Sequence, residues 1–262
     1  MNSVMTQPRS RTFLLVARIA ITLGATFLFL VIRADVSIWL WHSGKVYANA
    51  NITKLRTPAL VNDYLATNPI ARLHLGAGHN NKPGWLNTDI EPLPGQAYLD
   101  VTEPFPLPDR SVVYITSEHV IEHITYEQGM HMLKECYRVL KPGGRMRVAT
   151  PNLQKFLGLF AERKSEETNA YIRDKSDWHD WPATADQECY ILNLQLREWG
   201  HRFVYTPKLL RARIEEAGFK DIQSHVPGES GDPVLKGLEM RAFSNRAEVN
   251  RYETQIWEAV RP

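Results

Sequence analysis

Residues 118–123 read EHVIEH. Within them His119, Glu122 and His123 have the H-x-x-E-H spacing of a zinc-binding helix, where two imidazoles share one face and a carboxylate works beside the metal. A second set of residues suits a different ligand. Gly76-Ala77-Gly78 follows a short apolar stretch, and glycines let a backbone approach a ligand closely. Asp89 and Asp100 close the next two strand-like stretches. A carboxylate at one strand end can accept both hydroxyls of a ribose, and one at the next can accept from an exocyclic adenine amine. Each aspartate alone is an ordinary turn residue. In order after a G-x-G turn they describe an adenosine site. The full dinucleotide fingerprint asks for a third glycine where Asn81 stands, so a nicotinamide cofactor is weakly supported.

These residues need elements to hold them, and the pattern supplies an alternating set. Strands are expected over 71–75, 85–90, 97–101, 111–117 and 145–150, with closing strands over 219–225 and 254–260. EHVIEH should open a helix running through His123. A longer helix follows from Tyr126 to Leu140, with Met130, Leu133, Tyr137 and Leu140 at helical spacing. Lys141-Pro142-Gly143-Gly144 terminates it and turns the chain. Residues 207–218 form a helix with a glycine stop. Alternation of this kind implies an α/β fold with a largely parallel sheet covered on both faces.

The ordered stretches LHLGAG, GWLNTDIEP, PFPLPDRSVVYITSEHVIEHI, ECYRVLKPGGRMRVATPNL and LLRARIEEAGF resemble class I S-adenosylmethionine-dependent methyltransferases, closest to the type-11-like group with an EHVLEH-like fourth motif. The resemblance covers residues 71–262. It implies a Rossmann-like, seven-stranded sheet whose last strand is antiparallel, and S-adenosylmethionine as co-substrate. It further implies that Leu75, Gly76, Ala77 and Gly78 flank the methionine part of that molecule. Asp89 and Ile90 would hold the ribose, Asp100 and Val101 the adenine end, and Glu118 and His119 would line the pocket as the working residues. No metal is expected on this reading. Three positions depart from the family pattern: His74 for an acidic residue, Asn80 for a glycine and Val113 for an acidic residue. They keep open a methyltransferase fold without turnover that acts as a binding module, and the H-x-x-E-H spacing keeps open a zinc-dependent hydrolase.

Residues 151–203 are less regular and rich in Trp, His and Asp. Trp178, His179, Trp181, Asn193 and His201 are the expected acceptor-binding residues in this insertion, because aromatic and polar groups on an irregular segment suit ligand selection. Packing of the tryptophans onto the sheet is the competing expectation.

Before the domain, residues 1–12 form a tail and Phe13–Ile32 is an apolar run with one charge, Arg18. Its length suffices to cross a bilayer of about 30 Å. A retained membrane anchor, a cleaved signal peptide and a buried helix all remain open. The anchor is the expectation, with residues 33–66 as a connecting helical segment and the domain from residue 67 facing the cytoplasm, where S-adenosylmethionine is made. An anchor beside a catalytic domain suggests a lipid-linked, glycan or other envelope-related acceptor. A net charge of +2 without a Lys/Arg block argues against nucleic acid. Cys136 and Cys189 are expected as two buried free thiols. Oligomeric state is left open.

Overall fold

The computed structural model describes residues 50–179, 181, 186–239 and 247–262. The apolar run at 13–32 and the first part of the connecting segment lie outside them. Among the described residues no helix is long and apolar enough to cross a membrane. Helix α1 occupies residues 50–67 and belongs to the domain's packing. Val61 is buried in the main core. Thr57 Oγ1 accepts from the Tyr98 amide at 2.9 Å, and the Tyr64 hydroxyl donates to the carbonyls of Arg72 and Gly84, each at 3.0 Å.

Seven strands follow: β1 (Arg72–Leu75), β2 (Leu86–Asp89), β3 (Ala97–Tyr98), β4 (Val112–Glu118), β5 (Leu140–Pro151), β6 (Lys220–His225) and β7 (Thr254–Val260). They make one sheet in the order β3-β2-β1-β4-β5-β7-β6. All pairings are parallel except those of β7, which runs antiparallel to both β5 and β6. This is the α/β sheet, with an antiparallel last strand, that the motifs led us to expect. The order reverses at β1, where β2 lies on one side and β4 on the other. Open α/β sheets bind ligands in the crevice at such a switch, beyond the carboxyl ends of the strands.

Two expectations needed correction. Strand β5 begins at Leu140 rather than Arg145. The KPGG stretch stays on the sheet as a bulge, with Val112 opposite Leu140 and then Tyr114 opposite Arg145. EHVIEH does not open an α-helix: only Ile121–His123 form a single 3-10 turn. The α-helix α2 (Tyr126–Val139) starts afresh behind a capping box, in which the Thr125 hydroxyl accepts from the Gln128 amide and the Gln128 side chain accepts from the Thr125 amide. Its buried face, Met130, Leu133, Cys136 and Val139, joins Leu210 and Ile214 from α6 (Pro207–Glu216) on the main core.

Residues 153–197 add α3 (Leu153–Leu157), α4 (Glu166–His179) and α5 (Gln187–Arg197), and α7 (Ala247–Glu253) precedes β7. Phe156, Leu159, Tyr171, Ile172, Ile191, Val204, Val249 and Tyr252 make a second, smaller apolar cluster between these helices. Cys136 is buried, but Cys189 is exposed, because it lies in the solvent-facing first turn of α5.

A guanidinium lies wholly inside. Arg147 on β5 has no exposed surface. It pairs in bidentate fashion with Glu239 (2.6 and 2.9 Å) and also donates to Glu258 on β7. Sequence reading had given Arg147 no role. Its strand neighbours are apolar, and both partners lie far along the chain.

Candidate functional site

Two cavities open at the carboxyl ends of the strands, and they share two residues. The first, of about 500 Å³, is lined by Gly76, Asp89, Ile90, Asp100, Val101, Thr102, Ile124, Gln128 and Arg202, among others. The second, of about 330 Å³, is lined by Lys175, Trp178, Gln195, Trp199, Asn250 and Glu253, with His201. His119 and His123 line both.

The first cavity is built on the glycine turn. Gly76 has φ +64°, and a Cβ there would lie 2.2 Å from Val120 Cγ2, so the chain after β4 packs directly on bare backbone. Asp89 ends β2 and binds the turn: its Oδ2 accepts from the Gly78 amide at 2.8 Å, and its Oδ1 accepts from the Glu91 amide at 2.9 Å. A carboxylate has about four lone-pair sites, so both oxygens keep capacity for ribose hydroxyls. Gln96, which the sequence reading overlooked, is buried and donates to the Gly78 carbonyl (2.7 Å) and to Asn81 Oδ1 (2.8 Å). Asp100 Oδ1 accepts from the amide and the hydroxyl of Thr102. Ile90 is 53% exposed at the rim, an apolar surface suited to a flat ring. The volume falls within the range of about 300–1,000 Å³ for small-molecule sites.

Gly76, Asp89, Ile90, Asp100, Val101 and His119 are thus brought together as expected. Leu75 and Ala77 are not in the lining. They alternate with Gly76 and turn into the protein, 0% and 3% exposed. Gly78 contributes its amide to Asp89 rather than a wall. Glu118 closes β4 outside both cavities, near enough to Lys82 for its charge to act on that ammonium. His74 is buried and faces Asn87: its Nδ1 lies 2.9 Å from Asn87 Oδ1. Burial pushes its imidazole down to about 4, against the opposing effect of that hydrogen bond. The neutral ring donates from Nδ1, and Asn87 in turn binds the backbone of Lys82 and Trp85. The departure at His74 is therefore a buried polar support of the 82–85 loop. No helix forms between β1 and β2.

His119 stands at the junction with backbone φ +53°, a left-handed conformation in which histidine is among the enriched side chains. Its Nδ1 lies 2.8 Å from Glu122 Oε1. A carboxylate only accepts, so Nδ1 carries the proton and the Nε2 of the neutral ring is left as an acceptor. That Nε2 is buried and has no hydrogen-bond partner among the described residues. Glu122 has no exposed surface, and its Oε2 accepts from the Thr150 hydroxyl at 2.9 Å. Burial alone would raise its pKa, but the hydrogen bond from His119 prevails and holds it below the usual carboxylate range. Glu122 therefore orients His119. The zinc-helix expectation loses its basis: with one 3-10 turn, His119 and His123 do not share a helical face, and the Nδ1 of His119 is already engaged.

In the second cavity Trp178 and His201 occupy the expected places. His179 is stacked between Trp178 and Trp181, with centroids 5.0 and 4.6 Å away. Trp181 packs against the smaller apolar cluster, the packing role that was the competing expectation. Asn193 is exposed on α5 and donates to the Cys189 carbonyl. Two residues, about half a helical turn, separate it from the cavity-facing Gln195, so the two do not share a face. Lys175, 1% exposed, pairs with Glu253 at 2.9 Å and lies 5.0 Å over the Trp178 ring. Glu253 also accepts from the Tyr171 hydroxyl and Gln195 Nε2, each at 3.0 Å. Asn250 Nδ2 is buried with no hydrogen-bond partner. Lys175, Gln195, Asn250 and Glu253 were not foreseen, since they meet only in the folded chain.

Comparison with known proteins gives partial matches. Residues 80–148 match the family described as a methyltransferase domain. A curated protein of Mycolicibacterium smegmatis, described as a "Probable S-adenosylmethionine-dependent methyltransferase", is 49% identical over 47 residues. That stretch is 18% of this chain, and the chain spans 18% of the length of the relative. Among solved structures, a SAM-dependent methyltransferase from Archaeoglobus fulgidus has a TM-score of 0.45 at 16% identity, over 79% of this chain and 94% of its own. Phosphoethanolamine N-methyltransferase 2 of Haemonchus contortus has a TM-score of 0.38 at 15% identity, over 77% of this chain and 52% of its own.

Proposed function

We propose that this chain, whose residues 80–148 belong to a methyltransferase domain family, transfers a methyl group from S-adenosylmethionine to an acceptor held under the 151–203 insertion. One observation carries this reading. A cleft lined by the glycine turn, Asp89 and Asp100 meets an aromatic and polar cavity at His119 and His123. A donor in the first and an acceptor in the second would approach each other at the His119 ring.

S-adenosylmethionine brings its own activation, a methyl on a sulfonium, so the protein's task is alignment and proton removal. Asp89 would take the ribose hydroxyls while it keeps the Gly78 amide, and Asp100 would face the adenine end. The acceptor's lone pair forms the new bond to carbon as the old carbon–sulfur pair returns to sulfur. For a hydroxyl or amine acceptor, His119 Nε2 is placed to accept the displaced proton. Glu122 fixes the ring and offsets the charge it gains.

The acceptor itself is proposed as lipid-linked or glycan, of the kind found in a cell envelope. Two features support it: the apolar run Phe13–Ile32, long enough for an anchor, and the aromatic rim of the second cavity, where Trp178 and Trp199 are 47% and 52% exposed. On this reading the chain is membrane-anchored with its domain in the cytoplasm.

Calorimetry with the purified full chain tests the cofactor. Binding of S-adenosylhomocysteine by the wild type and its loss in Asp89→Ala are expected. Absence of binding at millimolar concentration would refute the reading. Incubation with methyl-labelled S-adenosylmethionine and separated cell extracts tests the acceptor. Label is expected in the lipid or polysaccharide fraction, and label confined to soluble metabolites would refute that part alone.

A further inference from the structure

Beside the second cavity, which His123 and His201 line, lies a pattern that methyl transfer by itself does not require. One ligand atom each from Glu122, His123 and His201 lie within 4.8 Å of one another. The two imidazole rings meet edge-on, with centroids 4.9 Å apart. The H-x-x-E-H spacing thus pointed at metal chemistry with one wrong member: His119 is engaged elsewhere, and the second imidazole comes from beyond the insertion.

Each of the three side chains is also secured from behind. His201 Nδ1 donates to the Gln195 carbonyl at 2.6 Å, which leaves Nε2 as the open lone pair. His123 is hydrogen-bonded to the backbone of Trp199. Glu122 accepts from His119 through one oxygen and from Thr150 through the other. Outer-shell bonds of this type fix the tautomer and orientation of ligating imidazoles and steady ligating carboxylates. The loop that delivers His201 is held in an unusual form: Trp199 and Gly200 both have positive φ, +56° and +76°. A non-glycine residue in that region is strained and persists where surrounding structure imposes it. The structure supplies a reason, since this loop sets His201 against His123.

We propose that Glu122, His123 and His201 bind a divalent transition-metal ion, of which zinc is the probe of choice, on the wall of the acceptor cavity. Two imidazoles and one carboxylate suit zinc or ferrous iron better than the oxygen-seeking magnesium or calcium. Bonds of about 2.1 Å in tetrahedral geometry set ligand atoms about 3.4 Å apart, so atoms within 4.8 Å of one another draw together by up to about 1.4 Å to close the site. Three protein ligands leave a position open toward the cavity, where the ion would take an acceptor oxygen and lower its pKa. That use rests on the methyl-transfer reading, whereas the binding of the ion does not. No hydrolytic role follows.

The test uses the full chain, purified without a polyhistidine tag and stripped with a chelator. Zinc is titrated by calorimetry and cobalt(II) by visible absorption. One equivalent of each is expected, with ligand-field bands of low-symmetry cobalt. His201→Ala and His123→Ala should abolish both signals. Thr150→Val, which removes only a hydroxyl behind Glu122, should weaken zinc binding by about 10-fold. S-adenosylhomocysteine titrated into His201→Ala and Thr150→Val, neither of which alters the lining of the first cavity, reports whether they are folded, and a cooperative thermal melt reports it for His123→Ala. Retained nucleoside binding with lost metal binding supports the site. Sub-stoichiometric zinc in the wild type, or His201→Ala that binds zinc as tightly as wild type, overturns it. A wild type that binds zinc but not S-adenosylhomocysteine would sink the methyltransferase reading and leave the metal site standing.

Discussion

The glycine turn permits a paired test of how tightly the cofactor cleft is built. Gly76 and Gly78 both have positive φ, +64° and +48°, so alanine at either meets the same backbone penalty, about 1–2 kcal/mol for a left-handed residue. The two differ in what surrounds the new methyl. At Gly78 nothing lies within 4 Å, while at Gly76 it would stand 2.2 Å from Val120 Cγ2. Val120 is β-branched and stiff about χ1, and it follows the strained His119, so relief requires the chain after β4 to shift. Overpacking of this kind costs about 1–3 kcal/mol. Gly76→Ala should therefore be less stable than Gly78→Ala by about 1–3 kcal/mol. For a domain of this size that is a melting temperature lower by about 2–12 °C. Parallel thermal melts of the two variants measure the difference directly, because the shared backbone term cancels. Equal melting temperatures, or Gly78→Ala the less stable, would refute the close approach of Val120 to the turn.

Three further outcomes follow from other parts of the structure. Asp89→Asn keeps the size of the side chain but removes its charge and sets an NH2 group against one of its donors. With charged hydrogen bonds at about 1.5–3 kcal/mol each, S-adenosylhomocysteine should bind about 10–100-fold more weakly by calorimetry, and unchanged affinity would remove Asp89 from the ribose role. His74 is held neutral in the fold, down to about pH 4, but protonates near 6.5 when unfolded. Between those values the unfolded chain binds more protons, so stability is full above about 6.5 and falls as pH drops toward 4, by roughly 3 kcal/mol in all. His74→Gln should flatten that part of a denaturation-versus-pH profile, and an unaltered slope would show that His74 is not its source. Glu239→Ala takes the bidentate partner from the fully buried Arg147 and should cost about 3–5 kcal/mol in chemical denaturation. A loss under about 1 kcal/mol would mean the guanidinium finds water or another carboxylate.

The fold was legible because its signals are local. Strands β1, β2 and β4 each end in a turn residue with a mechanism, and Thr125 with Gln128 marks the start of α2. The misjudged boundaries share a cause. Lys141-Pro142-Gly143-Gly144 contains the letters of a turn, and Gly143 does take φ +76°. Yet the Gly143 amide donates to the Arg261 carbonyl and the Arg261 amide donates to the Gly144 carbonyl, so a partner more than a hundred residues away keeps the stretch on the sheet. Tertiary pairing overrode the turn propensity.

The site divides along the same line. The first cavity reads from the sequence because Gly76, Asp89 and Asp100 sit at consecutive strand ends, where position in the pattern fixes position in space. The second cavity does not. Lys175, Gln195 and Glu253 come from α4, α5 and α7 and are joined by an ion pair and a hydrogen bond between elements. No spacing in one segment could announce them. EHVIEH falls between the two cases. Its spacing suggests a helix face, and that inference fails because His119 adopts φ +53°. Strand β4 has ended there and Val120 must fold back over Gly76. The same kink carries the His119 ring between the two cavities and turns its Nδ1 onto Glu122. Substituting glycine for His119 would relieve the backbone strain but remove the ring. On the proposed reading, the position keeps a strained histidine because chemistry, not stability, selects the residue.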